Sequence, residues 1–278
     1  MRLFEWIDIF TDTYKKPYLS FNGLECYYNC VRHIKNYFGN CLLSSIKGYQ
    51  IQQFINSMKA IPNTQHKTVV YFNEILEYAC RNRELEYNPM LAIKYKVPSQ
   101  NHRKAMTVAE QEKFVNSLKD KPYKLLFITY LFTGARRNEI IEPESMQVDF
   151  KSNVICLNGT KTKKSKRVVP LFELLKKELL KVKNYKKYFT SFKPDYVTKI
   201  FLKHCRAIKL YGFCVHSLRT TFATRCFEAK IDAKTIQNWL GHSKIETTLD
   251  IYVDNTIYLD ITNNYIVSEI EKFNNYLK

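Results

Sequence analysis

Hydrophobic residues recur at helical spacing through the first hundred residues. Phe21–Phe38 carries apolar side chains near every third or fourth position and runs into Gly39, which favours a helix end. Shorter periodic segments over Gly48–Met58 and Thr64–Arg83 predict two more helices. Lys and Arg fall between the apolar positions, so the opposite faces would be exposed to solvent or would face phosphate. The pattern predicts a helical bundle that closes at Asn88-Pro89.

The periodicity is interrupted by Lys94–Lys104, a polar and basic stretch that is typical of a linker. Thr107 and Glu110 then have the spacing of a capping box, which predicts the start of a second domain. Its first helices are predicted over Thr107–Leu118 and Tyr123–Phe132.

Residues 146–170 change to strand character, with three short segments at Met146–Phe150, Val154–Leu157 and Arg167–Pro170. The loop between the last two strands is basic, and such a loop is suited to contacts with backbone phosphates. The loop begins at Lys161, and its predicted phosphate-contacting residues are Lys163, Lys164 and Lys166. Helices return after Leu171, and Pro194 opens a helix over Lys193–Lys209.

We therefore predict a mainly α protein with a small antiparallel β-sheet. The predicted domains are a helical bundle over residues 1–95, a linker over 96–105, an α+β domain over 106–257 and a C-terminal helical segment over 258–278. In the last segment Ile266, Ile270, Phe273 and Leu277 form an apolar stripe. Such a stripe needs a groove in the same subunit or in a neighbouring one, and both arrangements remain open.

Composition excludes several classes of protein. With 278 residues, 45% hydrophobic and 14% aromatic, the chain is long and apolar enough for two folded domains and is not a disordered protein. No apolar run approaches the roughly 20 residues of a membrane helix, and acidic residues stand where a signal peptide would be apolar. Eight cysteines form no Cys-x-x-Cys pair, which argues against zinc and for reduced thiols. We expect a cytoplasmic protein without a metal or another cofactor.

The net charge of +18 is placed unevenly along the chain. Residues 1–100 hold 12 Lys and Arg against 8 Asp and Glu, whereas the remainder holds 32 against 18. An excess of this size favours a polyanionic partner such as nucleic acid, although lysine-rich surfaces also serve solubility.

A corner between two helices is predicted at Leu240–Tyr252. Gly241 follows a periodic run and ends one helix, and Ser243 with Glu246 has capping-box spacing for the next. His242 would lie at the corner and Tyr252 on the short second helix. Because the chain has 20 tyrosines, spacing alone does not distinguish a nucleophile from a packing residue.

Two further motifs carry candidate chemistry. Arg136 follows a predicted Gly134 turn, where its guanidinium can point into a cleft, and Glu139 would help to start the next helix. His216 and Arg219 are three residues apart, so one helical face carries both. Each motif by itself is a common surface arrangement.

Together and in this order, the motifs resemble the catalytic domain of the tyrosine recombinases, the phage-integrase family of site-specific DNA recombinases. The matching segments are Thr-Gly-Ala-Arg136-x-x-Glu139, Thr-Lys161-Thr-(x)5-Val-Val-Pro-Leu, His216-x-Leu-Arg219-x-Thr-Phe-Ala-Thr, Leu-Gly-His242-Ser and Tyr252. Residues 1–100 have the size and helical character of the family's core-binding domain. The resemblance implies a two-domain clamp around duplex DNA.

The resemblance also implies a role for each matching residue. Arg136 and Arg219 would clamp the scissile phosphate, with hydrogen bonds added by His216 and His242. Lys161 would protonate the leaving 5′ oxygen, and Tyr252 would attack phosphorus to give a 3′-phosphotyrosine. Glu139 would support the neighbouring histidine.

The family often has a histidine after the second arginine, whereas this chain has Thr220. The implied partner is double-stranded DNA with inverted-repeat sites, bound by a homo-tetramer that is monomeric when free. Integration and excision of a mobile element, and resolution of DNA dimers, use the same chemistry. Two other functions remain open: a type IB topoisomerase-like enzyme, and a DNA-binding regulator without catalysis.

Overall fold

The computed structural model describes residues 1–98, 104–159 and 166–253, with side chains as far as Leu249 in the last segment. Lys161, Lys163 and Lys164, the Tyr252 side chain, part of the predicted linker and the 258–278 segment therefore lie outside the described residues. The chain divides into two compact units, residues 1–100 and 101–278. The finer domain boundaries remain predictions.

The described fold is mainly helical, as the sequence predicts. The helices of the first unit are α1 (Leu3–Phe10), α2 (Phe21–Phe38), α3 (Gly48–Ser57) and α4 (Pro62–Arg81). Those of the second unit are α5 (Val108–Ser117), α6 (Lys124–Thr133), α7 (Asn138–Ile141), α8 (Glu173–Leu180), α9 (Tyr185–Thr190), α10 (Pro194–Ala207), α11 (Val215–Glu228), α12 (Ala233–Leu240) and α13 (Glu246–Val253).

The first unit is a helical bundle around its own apolar core. Helix α2 occupies the predicted residues, and Gly39 ends it with a φ of 61°. Trp6, Tyr27, Phe72 and Leu76 are among the buried side chains that α1, α2 and α4 contribute to the core. The apolar periodicity seen in the sequence therefore marks the faces on which these helices pack.

The second unit begins at the predicted capping box. The Thr107 hydroxyl accepts from the Glu110 N–H at 3.2 Å, and the Glu110 carboxylate accepts from the Thr107 N–H at 2.8 Å. The Met106 N–H just before this cap donates to the Thr221 hydroxyl of α11 at 2.9 Å. The start of the unit is thus hydrogen-bonded to α11, a helix in which every residue from Ser217 to Phe222 is buried.

Three antiparallel strands lie in the order β1 (Met146–Asp149), β2 (Val154–Asn158) and β3 (Lys166–Pro170). The Asp149 carboxylate accepts the N–H groups of Lys151 and Ser152, which closes the predicted hairpin turn. The pair Asn158 and Lys166 ends the β2–β3 ladder, so the segment that contains Lys161 connects two paired positions.

Candidate active site

Two helix ends meet at the centre of the site, and a left-handed glycine stands after each. Gly134 ends α6 with a φ of 60°, and Gly241 ends α12 with a φ of 66°. A Cβ on Gly134 would come within 2.5 Å of Phe222 and 2.8 Å of Leu240, so only glycine fits this close approach. The helix end predicted at Gly241 is confirmed.

Arg219 spans the two helix ends. It is buried on α11 at 1% exposure, and its Nη1 and Nη2 donate to the carbonyls of Gly134 at 2.7 Å and Leu240 at 2.6 Å. Carbonyls in the last turn of a helix lack intrahelical partners, and the helix dipole is negative there. These two helix ends therefore provide the local stabilisation that a buried guanidinium needs.

Arg136 supplies the exposed counterpart of Arg219. Its side chain is 42% exposed, and its Nη2 donates to the Gly241 carbonyl at 3.2 Å. Burial lowers the pKa of Arg219. Repulsion by the nearby charges of Arg136 and Arg167 lowers it further. An anion placed among them would relieve that repulsion.

Glu139 is the carboxylate of this cluster, and it accepts hydrogen bonds from two of the arginines. Oε1 accepts from Arg136 Nη1 and from Arg167 Nη1, both at 2.9 Å, and Oε2 accepts from Arg167 Nη2 at 2.7 Å and from the Arg136 N–H at 2.6 Å. Burial raises its pKa, but the contacts to Arg167 and Arg136 outweigh burial and hold the pKa at about 2. The hydrogen bonds of Glu139 thus support guanidiniums, where the sequence interpretation assigned it to a histidine.

His242 lies at the corner between α12 and α13, as predicted, but the cap of α13 differs. The helix begins at Glu246, too late for Ser243 to be its N-cap. Instead the His242 ring Nδ1 and the Thr248 hydroxyl form a 2.8 Å hydrogen bond across the bend. Thr248 is fully buried, so this bond fixes the imidazole against the helix that carries Tyr252.

The electrostatic environment of His242 opposes its protonation. Burial and the nearby charges of Arg219, Arg136, His216 and Arg167 lower the pKa of His242 to about 3. At neutral pH the ring is therefore neutral, with one nitrogen able to donate. Three of these groups, Arg219, Arg136 and His216, are also residues that are predicted to bind the phosphate.

We expect the second unit to lose stability as pH falls below 6.5. Below that value the unfolded chain protonates His242, whereas the folded protein does so only near pH 3. At pH 5 the loss is about 1–2 kcal/mol after allowance for partial solvent screening. Urea unfolding at pH 7.5 and 5, followed by Trp239 fluorescence in a Trp6→Phe background, measures it.

His242→Asn should reduce this pH dependence, and His33→Asn is the matched control because His33 is exposed in the first unit. Some dependence will persist, since burial also lowers the pKa of His204. If His242→Asn leaves the full difference between the two pH values, the assignment to His242 is wrong.

The structure brings together most of the described candidate residues. Arg136, Glu139, Arg219 and His242 share one cluster, and His216 lies near enough for its charge to affect His242. The backbone of Tyr252 lies in α13, four residues after Thr248. Lys166 is the exposed first residue of β3. The cluster contains no arrangement of three or more metal-binding side chains among the described residues.

Arg167 is the residue that sequence reasoning missed. Its side chain is 4% exposed, it forks onto both oxygens of Glu139, and its Nε donates to the Trp239 carbonyl at 2.6 Å. The signal was present in the strand pattern, because Arg167 alternates with exposed Val168 and shares the inward face with Val169. A charged residue on a buried strand face requires a buried partner.

Comparison with known proteins gives matches over both units. The model of the phage integrase family matches residues 100–257, and that of the phage integrase N-terminal SAM-like domain matches residues 2–59. The chain is 26% identical over 280 residues to the protein "Tyrosine recombinase XerC-like" of Caldanaerobacter subterraneus subsp. tengcongensis. That alignment covers 79% of this chain and 71% of the relative.

The fold is shared with lambda integrase. A dimer of its residues 75–356 bound to a COC′ core site gives a TM-score of 0.77 at 19% identity, over 90% of this chain and 95% of that one. A lambda integrase tetramer bound to a Holliday junction gives a TM-score of 0.75 at 19% identity, over 88% of this chain and 78% of that one. Because the family model covers more than half of the sequence, the chain belongs to the phage integrase family, that of the tyrosine recombinases.

Proposed function

We propose that Tyr252 is the nucleophile of this site-specific DNA recombinase and that the cluster around Arg136 and Arg219 binds the scissile phosphate. The observation that carries the proposal is the gathering of three guanidiniums around a single carboxylate, that of Glu139, among the described residues. Arg219 donates to backbone carbonyls, which do not neutralise its charge. A phosphodiester is an anion whose negative charge increases at the non-bridging oxygens as a nucleophile adds to phosphorus.

The proposed cleavage step exchanges one phosphodiester for another. The Tyr252 Oη bonds to phosphorus and the bond from phosphorus to the 5′ oxygen breaks, which leaves a 3′-phosphotyrosine and a free 5′ hydroxyl. His216 takes the phenolic proton and Lys161 gives a proton to the leaving oxygen. Attack by a 5′ hydroxyl of another strand reverses these steps. Because each step exchanges one phosphodiester bond for another, the reaction requires no ATP and no metal.

Arg136 and Arg219 would bind the phosphate from different environments, one exposed and one buried. Arg219 is held by backbone carbonyls in a buried position, where its charge is weakly screened. Arg136 is the exposed guanidinium that an incoming phosphate meets first. A neutral His242 would donate a further hydrogen bond, because its Nδ1 is already paired with Thr248 and its other nitrogen remains for the ligand.

We further propose that the substrate is duplex DNA with inverted-repeat sites. The net charge of +18 supports a DNA partner, as does the shared fold with DNA-bound lambda integrase. The protein would act as a homo-tetramer in the synaptic complex and exist as a monomer when free, with residues 258–278 docking on a neighbouring subunit. No helix in the described part of the chain is long and apolar enough to cross a membrane. We place its activity in the cytoplasm.

A nicked DNA substrate tests the proposed chemistry. A duplex site is first selected by binding from a random-sequence library. Single nicks are then placed at successive positions along this site, so that a short 5′ hydroxyl fragment diffuses away wherever the nick lies beside the cleaved bond. We expect a covalent protein–DNA band that withstands denaturant and forms in the presence of EDTA. No covalent band would identify a DNA-binding regulator. Relaxation of plasmids without the site would identify a topoisomerase-like enzyme.

A further inference from the structure

Arg167 is buried beside the proposed phosphate site and does not reach the surface. Its side chain donates to both oxygens of Glu139 and to the Trp239 carbonyl. Its side chain is 4% exposed, and all three of its nitrogens, Nε, Nη1 and Nη2, donate to these protein groups. Any contribution of Arg167 to the reaction must therefore pass through the residues that it contacts.

Three consecutive carbonyls at the end of α12 each receive a different arginine. Trp239 accepts from Arg167 at 2.6 Å, Leu240 from Arg219 at 2.6 Å, and Gly241 from Arg136 at 3.2 Å. The three arginines come from β3, α11 and the residues before α7, which are far apart in the sequence. The end of one helix thus fixes the relative positions of three guanidiniums.

Glu139 makes a second connection between Arg167 and Arg136. Its Oε1 is shared by Nη1 of both arginines at 2.9 Å. A carboxylate held in this way orients the Arg136 guanidinium through Nη1, while the Gly241 carbonyl accepts from its Nη2. The forked, planar guanidinium of Arg167 satisfies both oxygens and the carbonyl at once, which a lysine ammonium cannot do with the same geometry.

Gly241 shows how closely Arg167 is packed against this helix end. A Cβ on Gly241 would lie 3.0 Å from Arg167 Cδ and 3.5 Å from its Nε and Nη1. The arginine therefore lies directly against the backbone whose carbonyl holds Arg136. Displacement of Arg167 would remove a donor from one carbonyl of α12 and one donor from each oxygen of Glu139.

We propose that Arg167 is a positioning residue for DNA cleavage: through Glu139 and the end of α12 it holds the guanidiniums of Arg136 and Arg219 at the spacing that the two non-bridging oxygens of the scissile phosphate require. This inference rests on the proposed function of the site. Displacement of catalytic groups by about 1 Å is enough to lower rates about 100-fold. Arg167 itself makes no contact with the DNA.

Arg167→Lys and Arg167→Met test the proposal in single-turnover cleavage of the nicked site. We expect the cleavage rate at saturating DNA to fall about 100-fold while DNA affinity stays within about threefold. Arg225→Met is the matched control, because Arg225 is another arginine of this unit that donates to a backbone carbonyl, that of Met106, and pairs with a carboxylate, that of Glu228. Its cleavage rate should stay near that of the wild type.

A methylphosphonate at the scissile position separates positioning from general damage to the fold. This group lacks one negative charge, so its cleavage depends less on well-placed guanidiniums. The rate deficit of Arg167→Lys should shrink from about 100-fold to about tenfold or less on this substrate. An equal deficit on both substrates would mean that Arg167 only stabilises the fold and would overturn the proposal.

The remaining outcomes are also decisive. If Arg167→Met does not fold, Arg167→Lys alone decides, since it keeps the buried positive charge beside Glu139. An Arg167→Lys protein that cleaves both substrates at the wild-type rate would overturn the proposal. If the wild-type protein itself forms no covalent complex with the nicked site, the proposed function fails, and this result is distinct from any effect at Arg167.

Discussion

Tyr252→Phe is expected to abolish the covalent complex with DNA and to leave DNA affinity within about twofold of the wild type. The substitution removes the one oxygen that would bond to phosphorus. The cleavage rate should fall by at least about 1000-fold. The phenylalanine ring keeps the size and apolar character of the side chain. Denaturing gels of the nicked substrate measure the complex, and gel shifts measure the affinity.

The choice among 20 tyrosines makes a control necessary. Tyr211 lies in the same unit and is 69% exposed, so Tyr211→Phe should cleave at the wild-type rate. Mass spectrometry of the digested wild-type complex should find the nucleotide on the peptide that contains Tyr252. A nucleotide on another tyrosine, or a covalent complex formed by Tyr252→Phe, would contradict the assignment.

Arg219→Lys should lower the cleavage rate about 100- to 1000-fold, the usual loss when one preorganised donor to a developing oxyanion is removed. Arg219 already uses two donors on the carbonyls of Gly134 and Leu240 and has further donors for a phosphate. A lysine ammonium is a single point charge without the planar fork, so it cannot hold both carbonyls and also present a donor pair. Single-turnover cleavage at saturating DNA measures the loss.

Arg225→Lys supplies the comparison for this prediction, because Arg225 lies on the same helix and donates to the Met106 carbonyl. It should cleave within a fewfold of the wild type. Thermal unfolding of both variants separates stability from catalysis: each loses hydrogen bonds, and only the Arg219 variant should lose the reaction. Comparable cleavage by the two variants would exclude Arg219 from phosphate binding.

Local sequence signals predicted the helices and their ends well. Three such signals depend only on residues that are close in sequence. They are the capping box of Thr107 and Glu110, the pattern that gave the span of α2, and the glycine that ends a helix at position 241. Capping and glycine stops act within one turn of the chain, so a sequence shows them directly. The spacing of Arg136, His216, Arg219 and His242 was likewise readable, because it repeats a family pattern.

The prediction for the start of α13 was wrong for a tertiary reason. Ser243 and Glu246 have capping-box spacing, yet the helix begins at Glu246. The residues between Gly241 and the helix form a bend that lets His242 reach buried Thr248. A contact across the corner thus prevailed over a local cap worth about 1 kcal/mol.

The sequence by itself determined the helices, the small sheet and the identities of the candidate residues, because these follow from short-range periodicity and from motifs. Only the tertiary structure decided what holds the guanidiniums. Arg167 on β3, Arg219 on α11 and Arg136 before α7 converge on three carbonyls of α12, and Glu139 pairs with arginines. The energy with which buried charges interact depends on the distance between them in space and on the low dielectric around them. Neither quantity can be deduced from the order of residues along the chain.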